Sequence, residues 1–146
     1  MTESKYIWMD GEFTPWNEAK VHVLSHTLHY GNGAIEGTKA YKTVDGRCAI
    51  FKLNEHTQRL LNSSKMTLMN VPFTLEELNK AQVELLQKNE LTNGAYIRPL
   101  VYLGYGVMGL YHKDAPVKVS ISAWEWGAYL GEEGLKKGVR VKISSF

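Results

Sequence analysis

Apolar and polar positions alternate along "YIWMDGEFTPW" and turn back at Asp10-Gly11, a dipeptide suited to the positive φ angles of a tight hairpin. A second alternating pair follows, "IEGTKAYKTV" and "RCAIFKL", joined by Asp45-Gly46. The period then lengthens. Asn54 is a candidate N-cap for "EHTQRLLNSSKMTLM", with Glu55 placed to favour the first helical turn. Thr74 and Glu77 have capping-box spacing ahead of "LEELNKAQVELLQKNE", where Leu75, Leu78, Val83, Leu85 and Leu86 mark one helical face. Strand patterns return in "AYIRPLVYLG", "PVKVSISAWEW" and "GVRVKISSF". Strands, then two helices, then strands predict an α+β fold, a mainly antiparallel sheet with two helices on one face.

Two segments break this rhythm. "GYGVMGLYHKDAP" is a glycine-rich loop carrying apolar residues, and "GAYLGEEGLKKG" is polar and reads as a linker. The strand after that linker stops at Phe146 with no turn or cap following it. The expected organisation is a domain over residues 1–128, a linker over 129–138 and the first strand of a second, truncated domain over 139–146.

Composition narrows the function classes. Lys and Arg number 17 against 15 Asp and Glu, a net charge of +2, too small and too evenly spread to indicate a nucleic-acid partner. The single cysteine, Cys48, excludes an internal disulfide and fits a reducing cytoplasm, where it reads as a small core residue. No signal-peptide pattern opens the chain and no apolar run reaches the length of a membrane span, so a cytoplasmic protein with no membrane partner is expected.

Several stretches carry candidate chemistry. "HTLHYGNGAIEGTKAY" holds three glycines among histidines, tyrosines and a glutamate, which means either an awkward turn or a backbone kept bare for a ligand. In "YIRPLVY" a strand would point Tyr96, Arg98, Leu100 and Tyr102 to one face and Ile97, Pro99 and Val101 to the other. A guanidinium beside a phenol suits a carboxylate, and a surface arginine stacked over tyrosine gives the same pattern. Pro99 lacks a ladder donor, which predicts an edge strand or a bulge. Arg59 lies with His56 and Ser63 on a polar helical stripe, either a solvated face or a phosphate site. Trp124, Trp126 and Tyr129 cluster around Gly127, closing a core edge or lining an apolar pocket between domains. The five histidines show no zinc-ligand spacing, so no metal is expected. "GYGVMG" lacks the lysine and Ser/Thr of a phosphate loop.

Taken in order, "MDGEF", "HYGNGAIEGTKAY", "HTQRLLNSSKM", "YIRPLVYLG" and "WEWGAYLG" resemble the fold-type IV, pyridoxal-phosphate-dependent aminotransferases, above all the branched-chain amino acid aminotransferases. The resemblance covers essentially the whole chain and implies the small N-terminal domain of a two-domain enzyme. It places Arg59 on the phosphate of pyridoxal 5'-phosphate (PLP). It places Tyr30, Tyr96, Arg98 and Tyr129 on substrate carboxylates, and Ile35, Gly37 and Trp126 in the wall of an apolar side-chain pocket. Ile35 stands where that family often has phenylalanine. Met108 and Leu110 match a loop that reaches the partner subunit of a homodimer or higher homo-oligomer.

The implied reaction moves an amino group between branched-chain L-amino acids and 2-oxoglutarate. The lysine that bonds the cofactor is expected downstream of Phe146, so the 146 residues alone are expected to be inactive and not to retain PLP. The resemblance extends to D-amino acid aminotransferases and aminodeoxychorismate lyases, and a non-catalytic α+β binding module is the alternative outside enzymes.

Overall fold

The computed structural model describes residues 2–126 and 131–144. Asp10 and Gly11 take φ values of 49° and 105°, closing a two-residue turn between β1 (Tyr6–Met9) and β2 (Glu12–Pro15) with Met9 opposite Glu12. The second hairpin joins β4 (Thr38–Lys42) to β5 (Cys48–Ile50) by a longer loop. There the Thr43 N–H donates to the Arg47 carbonyl at 2.8 Å, and Gly46 alone takes the left-handed conformation.

These strands join β3 (Gly33–Ile35), β6 (Gly94–Leu103) and β7 (Val117–Trp124) in one sheet of order β2-β1-β7-β6-β4-β5, with β3 also on β6. Every pairing is antiparallel. The expectation that Pro99 marks an edge or a bulge is overturned, because β6 is central and paired on both sides. Ile35 faces Leu100 and Thr38 faces Ile97, so the register runs unbroken from β3 to β4. Pro99 lies opposite the two-residue interval between them. Its carbonyl accepts the Glu36 N–H at 3.0 Å, and the bond it cannot return falls where the ladder is interrupted.

Helices α2 (Leu53–Met66) and α3 (Leu75–Lys88) pack together over one face. Leu60, Leu78 and Leu85 meet Ile97, Val101, Val119 and Ile121 in a core that solvent does not reach. The capping box forms as its spacing predicts: the Glu77 N–H donates to Thr74 Oγ1 at 3.2 Å and the Thr74 N–H to Glu77 Oε2 at 2.7 Å. Asn54 is not the N-cap of α2. The helix starts two residues earlier, at Leu53 after Lys52 in a left-handed conformation, and the Asn54 side-chain carbonyl accepts from the Asn79 amide of α3 at 2.6 Å. Val83 also departs from its predicted place. The buried stripe runs Leu78, Ala81, Gln82, Leu85 and Leu86, leaving Val83 exposed. Asn89, just past α3, accepts from the Lys5 and Tyr6 N–H groups and donates to the Tyr6 carbonyl, pinning β1.

A short helix absent from the sequence reading, α1 (His26–Tyr30), lies on the opposite face. Thr27 and Leu28 border a small cavity there with Leu100, Tyr102 and Ser120. The segment read as a polar linker contains α4 (Gly131–Lys137), braced by a Lys137–Glu133 ion pair at 2.7 Å and stopped at Gly138, whose φ is 74°. The strand expected over 139–146 is not formed in its described part, residues 139–144. Val139, Val141 and Ile143 are exposed and pair with no strand of this sheet, and an extended segment becomes a strand only against a partner.

Among the described residues no helix is long and apolar enough to cross a membrane, and no three His, Cys, Asp or Glu gather as a metal set.

Candidate active site

The pleat of β6 sends Ile97, Pro99 and Val101 under the helices and turns Tyr96, Arg98 and Leu100 to the opposite face, as the alternation predicts. The Arg98 guanidinium donates to the Tyr96 phenol oxygen through Nη2 at 2.8 Å and Nε at 3.3 Å, and its carbon lies 5.1 Å from the ring centre. The stacked arrangement is therefore present. It also leaves the phenol its own proton to donate, so cation and hydroxyl form one donor group suited to a carboxylate. Trp126 meets the Tyr96 ring edge-on at 4.7 Å and Trp124 lies 5.3 Å from it. These three rings make a wall beside the polar pair.

Gly37 has a specific reason to lack a side chain. A Cβ there would overlap the Tyr96 phenol, so the glycine makes room for the tyrosine itself. Ile35, exposed at 58%, pairs with Leu100 and extends the apolar border of the same face.

The neighbouring residue points the other way. Glu36 is 6% exposed, and its carboxylate takes a fork from Arg59: Nε to Oε1 at 2.5 Å and Nη2 to Oε2 at 2.8 Å. His56 Nδ1 lies 2.8 Å from Oε2. Burial pushes the Glu36 carboxyl up, but the hydrogen bonds and charges of Arg59 and His56 outweigh it and hold the group below the usual glutamate value. An ionised carboxylate only accepts, so the His56 proton is assigned to Nδ1. Arg59 itself remains 64% exposed. It is anchored at one end and presented at the other, which fits a phosphate.

Tyr30 belongs to a third cluster. Its hydroxyl accepts the Gly109 N–H at 3.1 Å, while His26 Nε2 lies 2.8 Å from the Gly109 carbonyl. The His26 and Tyr30 rings stack with centres 4.4 Å apart. One residue of the glycine-rich loop is thus clamped through both backbone groups, and Met108 and Leu110 on either side of it are exposed.

Of the predicted site residues, the fold brings Tyr96, Arg98, Gly37 and Trp126 into one group and sets Ile35 at its border. Arg59 is joined to that group through the adjacent pair Glu36 and Gly37. Tyr30 is held by the loop, and Tyr129 lies outside the described residues. Sequence reasoning missed Glu36 and His26. Glu36 had a signal: it alternates with Ala34, Thr38 and Ala40, all buried, and an acid in a buried register calls for a cationic partner. His26 had none, because its partner is a backbone group 83 residues away.

Comparison with known proteins gives the family. Residues 33–146 match the family described as amino-transferase class IV. The chain is 48% identical over 140 residues to the branched-chain-amino-acid aminotransferase of Pseudomonas aeruginosa, covering 96% of this chain and 45% of that protein. The structure of the Escherichia coli branched-chain amino acid aminotransferase superposes with a TM-score of 0.88 at 41% identity, covering 98% of this chain and 47% of the other. That of the T.th. branched-chain amino acid aminotransferase complexed with N-(5'-phosphopyridoxyl)-L-glutamate gives a TM-score of 0.82 at 44% identity, covering 89% and 43%. The chain spans about half the length of the curated relatives it matches. With the fold and the family match in agreement, the chain belongs to the class IV aminotransferases.

Proposed function

We propose that this chain is the substrate-side part of a PLP-dependent branched-chain amino acid transaminase, exchanging an amino group between leucine, isoleucine or valine and 2-oxoglutarate. The observation that carries the reading is the Arg98–Tyr96 donor group set against the Trp124–Trp126 wall. Two substrates, one with an aliphatic and one with a carboxylate side chain, must occupy one site in turn. A face with a cation and a phenol beside apolar rings accepts both. Similarity to an enzyme complexed with N-(5'-phosphopyridoxyl)-L-glutamate supports both the cofactor and glutamate as amino donor.

Arg59, presented by Glu36, fits the cofactor phosphate. When bound, PLP would supply an electron sink for chemistry at the amino-acid α-carbon. The residues here orient and enclose. Arg98 and Tyr96 hold a carboxylate, Gly37 leaves the phenol its place, and Ile35 with Trp126 lines the aliphatic side. Tyr30 and Tyr129 complete the carboxylate contacts. Met108 and Leu110, on the clamped loop, extend toward a second subunit of a homodimer in the cytoplasm. Residues 1–128 form the small domain, and 139–146 begin the cofactor-binding domain that carries the lysine.

The test is transamination by the full-length protein. Activity with leucine and 2-oxoglutarate is expected, with little on D-alanine; activity confined to D-alanine refutes the branched-chain reading. Residues 1–146 by themselves are expected not to transaminate, and turnover by that piece would show that it carries its own covalent cofactor site.

A further inference from the structure

The Glu36 carboxylate is the most deeply buried acidic group described, yet both guanidinium contacts it makes belong to an arginine whose side chain is 64% exposed. As a stability device this is a poor arrangement. An ion pair with one solvated partner contributes little, and burying a carboxylate has a desolvation cost that an apolar residue would avoid. As a way of aiming an arginine it is a good one. A long free side chain loses much rotamer freedom on gripping a ligand, and a fork through Nε and Nη2 fixes the guanidinium plane beforehand while the Nη1 end remains for another acceptor.

The carboxylate is itself fixed. Its main-chain N–H is bonded to the Pro99 carbonyl at 3.0 Å, and His56 adds a third donor within the same helix as Arg59. The next residue, Gly37, packs under the Tyr96 phenol. The dipeptide therefore ties the arginine on one side of the sheet to the carboxylate reader on the other.

We propose that Glu36 is a positioning residue that holds the Arg59 guanidinium in the orientation that binds the cofactor phosphate. This rests on the reading of Arg59 as the phosphate ligand and deepens it. Glu36 touches neither substrate nor cofactor; it acts through Arg59. Its loss should weaken recognition of the phosphate and leave the rest of the cofactor's contacts alone.

The test compares PLP with pyridoxal, which lacks the phosphate, by absorbance titration of the full-length apoprotein. Glu36→Gln keeps the side-chain shape but turns an amide toward Arg59. It should weaken PLP by about tenfold, the lower end of what loss of an outer-shell partner typically costs a bound group, and leave pyridoxal unchanged. Arg59→Met should abolish the preference for PLP over pyridoxal. If Arg59→Met loses that preference and Glu36→Gln keeps it, the positioning role falls and the phosphate site stands. If Arg59→Met keeps it, the phosphate reading falls and the role of Glu36 with it. Equal loss of both ligands in Glu36→Gln makes the residue structural only and overturns the proposal. Should Glu36→Gln fail to fold, Glu36→Asp, which keeps the charge but shortens the reach, must show the same selective loss of PLP.

Discussion

Glu36 and Gly37 are neighbours in the chain and look to opposite sides of one sheet, and the two sides are built on different principles. Toward the helices, Ile97, Val101, Val119 and Ile121 are wholly buried, and cohesion comes from apolar area removed from water. Toward the other side, Ile35, Tyr30 and Trp126 are exposed at 58%, 41% and 37%. Order there comes from directional contacts: a guanidinium on a phenol, rings edge to face, a loop clamped by two side chains. One face holds the fold together. The other orders exposed side chains through directional contacts.

The sharpest way to break this contrast is to shorten one apolar residue on each side of the full-length protein. Ile121→Ala should cost about 2–5 kcal/mol in chemical denaturation, as buried isoleucine truncations do. Ile35→Ala should stay within about 0.5 kcal/mol, as exposed substitutions do. Equal losses would show that both faces are core.

Next in size is Gly37→Ala, where the new Cβ meets the Tyr96 phenol. Overpacking of this kind costs about 1–3 kcal/mol. Adding Tyr96→Ala should recover most of it in a double-mutant cycle, and simple additivity would mean the two do not touch.

A smaller effect tests the Glu36 side. Glu36→Gln should lower stability by about 1–2 kcal/mol near neutrality, the cost of a mismatched buried hydrogen bond. Folding lowers the carboxyl's pKa below the ordinary 4.5, so the unfolded chain takes up the proton first as pH falls. The wild-type advantage should be complete above about 4.5 and vanish as pH drops through the folded value. Melting curves across about pH 3 to 7 would show it, and a gap that persists at the acid end would contradict ionisation of Glu36. Thr74→Ala, at a cap far from the Glu36–Gly37 pair, should cost about 1 kcal/mol and leave the PLP-to-pyridoxal ratio untouched.

Legibility in the sequence followed the distance over which each feature is decided. The Asp10-Gly11 turn, the Thr74–Glu77 box and the alternation of Tyr96 with Ile97 depend on residues a few positions apart, and all appear in the fold as read. Asn54, Val83 and Pro99 were misplaced for one reason. What each does is decided by a partner from elsewhere: Asn79 for the first, the buried stripe of α3 against the sheet for the second, and the interval between β3 and β4 for the third. In the site, the faces of "YIRPLVY" could be assigned from the period alone. That the Gly37 space belongs to the Tyr96 phenol, and that Arg59 rests on Glu36, could not.

The sequence by itself determined the two Asp-Gly hairpins, the two long helices and the alternation of faces along β6, because turn chemistry, capping and periodicity act over one or two turns of chain. Only the tertiary structure decided which residues meet. Strand register brought Glu36 opposite Pro99, and helix packing swung Arg59 and His56 onto its carboxylate. A buried charge is stable only where such partners converge on it, and that convergence is a property of the assembled fold.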